Sequence, residues 1–203
     1  GSPMFEVLQK CIRPLVLGMT HDGNAVVTMD DFTRVAWDEI RRLGITMEEM
    51  VYHYLWFSKF IYSGVVHPEM KCTLNLMIID VARINLSYVR GDKKRLASVL
   101  SKFFETFEPE TNLTTFIVNT PGWFNWVIWP IATVLLSKRA LDKFNVVPNP
   151  MRNEKYVRKM ENLTDMACIP EELGGTSDDV WSNKYQRGMH DHAATVCTHA
   201  GIK

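Results

Sequence analysis

Residues 111–137 read TNLTTFIVNTPGWFNWVIWPIATVLLS, 27 consecutive positions without a charged side chain. Length alone would allow a membrane span, which needs about 20 apolar residues. Asn119, Pro121, Gly122, Asn125 and Pro130 interrupt the run, and in lipid the backbone groups freed there would find no partners. The stretch parses instead as a buried strand over 115–119, a Thr120-Pro121-Gly122 turn and a helix over 123–136. That helix is apolar nearly all round. Trp123, Phe124, Trp126, Val127, Ile128, Trp129, Ile131, Val134, Leu135 and Leu136 cannot all face one core unless the helix is wholly buried. If half of them do, the rest forfeit about 1.5–3 kcal/mol apiece in water, on the order of 10 kcal/mol together, comparable to a domain's whole stability. Something must then cover them: an apolar ligand, a membrane surface, a partner protein or a further domain. The three tryptophans raise the membrane reading, because indole joins a large apolar body to a polar N–H.

Working outward, residues 73–81 carry Leu74, Leu76, Met77, Ile78 and Ile79 almost without interruption, the pattern of a central strand covered by helices on both faces. Residues 143–147 repeat that pattern before the Pro148-Asn149-Pro150 turn. Upstream, the Asp22-Gly23 turn and the pair Val26, Val27 predict a first strand over 24–29. A helix follows, capped by Asp30 or Asp31, with Phe32, Val35, Ala36, Ile40 and Leu43 on its buried face and Gly44 as its left-handed end. Thr46 and Glu49 form a capping box for the next helix, which reaches about residue 63. Asp92 opens another, with Leu96, Val99, Leu100, Phe103, Phe104 and Phe107 on one face; Pro109 ends it. This alternation predicts an α/β fold with a mostly parallel β-sheet flanked by helices. The expected organisation is a cloning scar at 1–3, one domain over 4–181 and a C-terminal tail over 182–203.

Lysine plus arginine (23) balances aspartate plus glutamate (23), so the excess positive charge of a nucleic-acid binder is missing. The four cysteines form no CxxC pair, which favours a reduced, cytoplasmic setting, with Cys72 and Cys168 as small buried hydrophobes. Asn-x-Ser/Thr triplets at Asn85, Asn112 and Asn162 carry no weight without export. No GxSxG, GxxxxGK[ST], HExxH or GxGxxG occurs, so neither an enzyme nor a cofactor is expected. The acidic pairs Asp30-Asp31, Glu48-Glu49 and Glu171-Glu172 sit where helix starts and turns explain them. His53 reads as a packed helix residue. His190, His192, Cys197 and His199 read as a frayed end in preference to a metal site.

Phe116-Ile117-Val118-Asn119-Thr120-Pro121, then Phe124, Trp129-Pro130, Leu135-Leu136 and Asp142-Lys143-Phe144, lead on to Ile169-Pro170-Glu171-Glu172-Leu173-Gly174-Gly175-Thr176. This ordered series resembles the core signature of the CRAL-TRIO lipid-binding domain, the family of phosphatidylinositol/phosphatidylcholine transfer proteins, cellular retinaldehyde-binding protein and alpha-tocopherol transfer protein. The likeness runs over about residues 18–181, and its specificity lies in 116–175. It implies a sheet that floors an apolar pocket closed by a mobile gate helix, here the helix over 123–136. The pocket residues would be Met77, Ile79, Phe116, Val118, Phe124, Val127, Ile128, Ile131 and Leu135, with Trp123, Trp126 and Trp129 meeting the membrane. Members that read a phosphoinositide headgroup carry a basic residue two places before the Gly-Gly; Glu172 stands there and would repel an anion. Lys138 lies about where an acidic residue is usual, so Lys138 and Glu172 are expected as a swapped pair at the headgroup end. The implied function is non-enzymatic binding and intermembrane transfer or sensing of a small hydrophobic lipid, uncharged in the first instance. The carrier is expected as a monomer that touches membranes transiently. The alternative is a regulatory protein-interaction module, since related domains accompany small-GTPase regulators.

Overall fold

A computed structural model of the 203-residue chain describes residues 3–62, 74–107, 111–180 and 183–199. α1 (Pro3–Ile12) leads into β1 (Pro14–Met19), which turns back into β2 (Ala25–Asp30). α2 (Trp37–Arg42) and α3 (Met47–Tyr62) precede β3 (Leu74–Asp80), and α4 (Gly91–Phe107) precedes β4 (Asn112–Val118). α5 (Phe124–Leu135) and α6 (Lys138–Leu141) precede β5 (Phe144–Val147); α7 (Glu154–Leu163) and α8 (Lys184–His199) close the described chain. The strands lie in the order β1-β2-β3-β4-β5, parallel from β2 onward, with β1 antiparallel to β2. This is the expected α/β fold, and β3 is central, as its apolar run predicts.

Sequence periodicity starts the sheet at residue 24, whereas the structure starts it at Pro14. The hairpin that joins β1 to β2 is locally determined. The Asp22 carboxylate accepts from Thr20 Oγ1 (2.7 Å) and Asn24 N (3.0 Å), which lowers its pKa to about 2, and Gly23 takes φ +67°. The helix expected over 32–43 is divided. Asp31 accepts from Arg34 N at 3.1 Å and pairs with the Arg34 guanidinium at 2.7 Å, closing a 3-10 turn over Phe32–Arg34 before α2 begins. The Thr46–Glu49 capping box forms as expected, with Thr46 N donating to Glu49 Oε2 (2.7 Å) and Glu49 N to Thr46 Oγ1 (3.2 Å). On α4, Leu96 and Leu100 are buried, but Val99 is 39% exposed and leaves the face assigned to it.

Alternate residues of each strand face opposite sides of the sheet. One side buries Leu17, Val27, Leu76, Ile78, Phe116 and Val118 against Tyr156 and Met160 of α7 and against Ile169 and Leu173. The loop carrying those last two residues closes tightly, because Gly174 takes φ +84° and a Cβ on Gly175 would fall 2.0 Å from the Ile169 carbonyl oxygen. On the other side, Val16 and Val26 pack against Phe57, Phe60 and Ile61 of α3 and Met189 of α8. A further helical layer joins Leu8, Ile12, Met50, Tyr54, Leu96 and Leu100.

The C-terminal segment is no frayed tail. Residues Lys184–His199 are helical, and Met189 is fully buried over β1. Asn183 Nδ2 (2.9 Å) and Gln186 Nε2 (3.4 Å) donate to the Val16 carbonyl, while Gln9 Nε2 serves that of Pro14 (3.0 Å) and Thr164 Oγ1 that of Met19 (2.8 Å). His53 is buried, as its place on α3 suggests, beside Phe5 and Trp56 and 2.9 Å from Gln9 Oε1; burial lowers its pKa to about 4. Cys168 is half-buried against Gly18, and burial raises its thiol pKa. Cys72 and the Cys197 side chain lie outside the described residues. Among the described residues no group of three His, Cys, Asp or Glu side chains is placed to hold a metal ion, and no helix is long and apolar enough to cross a membrane.

Candidate functional site

The sheet side that faces α3 is incompletely covered. Its floor is read off the register: one row runs Asp30, Ile79, Ile117, Val146 and the next runs Thr28, Met77, Thr115, Phe144. α3 covers the β1–β2 part of this side, and α5 lies over the β4–β5 part. Between them Met77 and Ile79 remain half-buried, although β3 is the central strand.

The residues quoted first build the cover. β4 ends at Val118, Asn119 enters the left-handed region at φ +57°, and its Nδ2 donates to Asp80 Oδ1 (3.1 Å) at the end of β3. Phe124 N then bonds back to the Pro121 carbonyl (2.8 Å), so the chain reverses from strand into α5 within five residues. Phe124 is buried with Val81 and Ile117, and Ile128 and Trp129 pack beside it on Ile79, Phe144 and Val146; the Trp129 and Phe144 rings are 6.3 Å apart. The opposite face of α5 is turned outward: Trp126 and Val134 are each 84% exposed, and Ile131 is 39% exposed. Pro130 lies inside the helix and cannot donate to the Trp126 carbonyl, which interrupts the ladder at mid-length.

Of the residues expected in a pocket, Ile79, Phe124 and Ile128 pack together on this side, with Met77 half-buried on the same side of β3, Val127 half-buried on α5 and Ile131 at the outer surface. Phe116 and Val118 do not belong. They point to the opposite face, into the core beneath α7, because the strand alternates and Ile117 holds the intervening position. The Leu135 side chain lies outside the described set. Trp123 and Trp129 are half-buried and Trp126 is the exposed indole. Lys138 and Glu172 are both exposed and no ion pair joins them: Lys138 opens α6 after the cover helix, whereas Glu172 lies in the turn whose Leu173 enters the core on the other side of the sheet. Ile117, Phe144 and Val146 are absent from the expected pocket residues, yet Ile117 and Val146 are the register partners of Ile79 across β4 and β5, and Phe144 lies one row below.

Acidic side chains gather at the C-terminal ends of the parallel strands. Asp80 accepts from Ala82 N at 2.8 Å, and burial together with the Asp80 charge raises the Asp31 carboxyl pKa. Asp30 does not cap a helix. Burial raises its pKa to about 7, a shift tempered by the nearby Tyr54 hydroxyl and reinforced by Asp31.

A model of the CRAL/TRIO domain family matches residues 32–175. Similar proteins include two phosphatidylinositol/phosphatidylcholine transfer proteins of Arabidopsis thaliana. SFH13 is 27% identical over 119 residues, covering 59% of this chain and 18% of that protein. SFH14 is 24% identical over 176 residues, covering 84% of this chain and 27% of that protein. The chain therefore spans well under a third of either one. Among solved structures, the crystal structure of Sfh5 superposes with a TM-score of 0.61 at 16% identity, over 92% of this chain and 66% of that one, which shows a shared fold. The family match takes in β3, β4, the α5 cover and the tight Gly174-Gly175 loop, well over half of the sequence, and the chain belongs to the CRAL/TRIO domain family.

Proposed function

We propose that the chain binds a hydrophobic lipid between α5 and the half-buried floor of β3, and passes it to or from a membrane without catalysing its conversion. One observation carries this reading: α5 buries Phe124, Ile128 and Trp129 on the sheet while holding Trp126 and Val134 in water. A core helix does not do this, since the cost of hydrating such side chains is about 1.5–3 kcal/mol each. A bilayer would remove that cost while α5 lifts, with the missing ladder bond at Pro130 as its hinge. The two transfer proteins similar to this chain are named for phosphatidylinositol and phosphatidylcholine, which supports a lipid as the class of cargo.

The test has two arms. Mass spectrometry of an organic extract of the purified protein should find a lipid in near-equimolar amount. Trp126→Asp should abolish association with phosphatidylcholine vesicles and slow lipid transfer while leaving the far-UV circular dichroism unchanged. A lipid-free preparation that takes up no fluorescent lipid probe would overturn the reading. So would an unfolded Trp126→Asp, since the helix would then be ordinary core. Capture of a protein partner that survives Trp126→Asp, together with the absence of lipid, would favour the interaction-module alternative.

A further inference from the structure

Residues 83–95, which follow β3 and enter α4, hold five cations, Arg83, Arg90, Lys93, Lys94 and Arg95, and one carboxylate, Asp92, in a chain whose formal charge is zero. Folding leaves this excess in place. Arg83, Arg90, Lys94 and Arg95 are exposed, and among the described residues none of the four forms an ion pair. Lys93 is engaged elsewhere: its Nζ donates to Ser87 Oγ at 2.9 Å and lies 4.2 Å from the centre of the Tyr88 ring. Lys93 and Lys94 fall in the first turn of α4, where the positive end of the helix dipole disfavours cations. Such a placement, with no ion pair to offset it, is expected where the charge serves something outside the fold.

The segment borders the cover helix. Ile84 joins the cluster in which Phe124, Ile128 and Trp129 of α5 lie on Ile79 and Val146. The 3-10 turn that follows, Leu86–Val89, holds Leu86 58% exposed between Arg83 and Arg90. Apolar and cationic side chains thus stand together in water, next to a helix that exposes Trp126. The combination suits a bilayer with anionic headgroups, where apolar side chains enter the acyl boundary while guanidinium and ammonium groups stay at the level of the phosphates. A polynucleotide fits less well, because phosphate contacts alone would leave Leu86 and Val134 in water.

Resting on the lipid-transfer reading above, we propose that residues 83–95 are the electrostatic half of the membrane contact. Arg83, Arg90, Lys94 and Arg95 select a bilayer rich in anionic phospholipid, and Leu86 and Trp126 enter it. Each Lys or Arg held near an anionic surface contributes about fivefold in affinity, and salt screens the effect.

Co-sedimentation of the full chain with vesicles tests this, using phosphatidylcholine alone and phosphatidylcholine mixed with phosphatidylserine. The wild type should bind the mixed vesicles at least about tenfold tighter, and the preference should fall below about twofold in about 1 M salt. Arg83→Gln, Arg90→Gln and Lys94→Gln together should bring it within about threefold at unchanged far-UV circular dichroism. Arg152→Gln, Lys155→Gln and Arg158→Gln together, the same change of charge on the α7 side of the sheet, should keep it. Lys94→Glu alone suits the helix dipole and so preserves folding, yet it should weaken binding to mixed vesicles by at least about fivefold. A wild type without the preference, or a preference that survives both the first triple substitution and Lys94→Glu, overturns the anionic contact while leaving lipid carriage intact. Equal losses in the two triple variants overturn it as well, since net charge alone would then explain the binding. Salt-sensitive capture of poly(U) tighter than that of the mixed vesicles would reassign the segment to nucleic acid. Binding to neither vesicle, with no uptake of a fluorescent lipid probe, overturns the lipid-transfer reading itself.

Discussion

Asp30 and His53 show how single buried groups write opposite slopes into the stability of this protein. The folded chain holds the Asp30 proton up to about pH 7, against 3.8 for the free side chain. Its contribution is therefore full below 3.8 and is lost as pH rises through 7. His53 behaves in the reverse sense, since its pKa falls from 6.5 to about 4, so its contribution is present above 6.5 and is lost as pH falls through 4. Between these values the two slopes oppose each other. Asn at position 30 imitates the protonated acid at every pH. Asp30→Asn should therefore stabilise the delipidated protein most above about pH 7, by up to about 4 kcal/mol, with the gain vanishing near pH 4. Urea unfolding across that range checks it, and a gain independent of pH would contradict it. Sequence did not reveal that Asp30 is enclosed, because Asp31 takes the local capping position and Tyr54 reaches Asp30 from α3, a separate element.

At the scale of elements, α5 is the informative one. Its two faces predict opposite mutational costs. Phe124→Ala should lose about 3–5 kcal/mol, because a buried ring leaves a cavity against Val81 and Ile117, whereas Trp126→Ala should stay within about 0.5 kcal/mol. Chemical denaturation of both variants measures the contrast, and equal losses would place Trp126 in the core. The Gly175 loop gives a second case. A methyl group there collides with the Ile169 backbone at 2.0 Å, so Gly175→Ala should cost more than about 2 kcal/mol, read from the same unfolding curves. These elements also mark what sequence could and could not convey. The Thr46–Glu49 box, the strand–turn–helix after Thr115 and the Gly174-Gly175 turn are local, and each forms where its residues stand. The facing of β4 was not legible: Phe116, Ile117 and Val118 are all apolar, and only the pairing of Ile79 with Ile117 decides which of them looks toward α5. β1 escaped notice for a similar reason, since Pro14–Met19 becomes a strand through its pairing with β2 and its support from α8.

On the scale of the whole molecule, the sheet is unevenly guarded: closed beneath α7, covered by α3 and α8 over β1 and β2, and only half-covered at Met77 and Ile79. α8 is part of this architecture, so Met189→Ala should lose about 2–5 kcal/mol, whereas Val196→Ala on its exposed side should be nearly silent. If both substitutions were silent, α8 would be dispensable to folding. The amides that reach β1 from Gln9, Asn183 and Gln186, with the Thr164 hydroxyl, take up the acceptors of Pro14, Val16 and Met19. A border strand with its oxygens already engaged is a poor template for a stranger's backbone. Crowded copies of this chain should consequently resist fibril-like stacking along that margin, and any self-association should begin at the indole of Trp126, where a detergent micelle would suppress it.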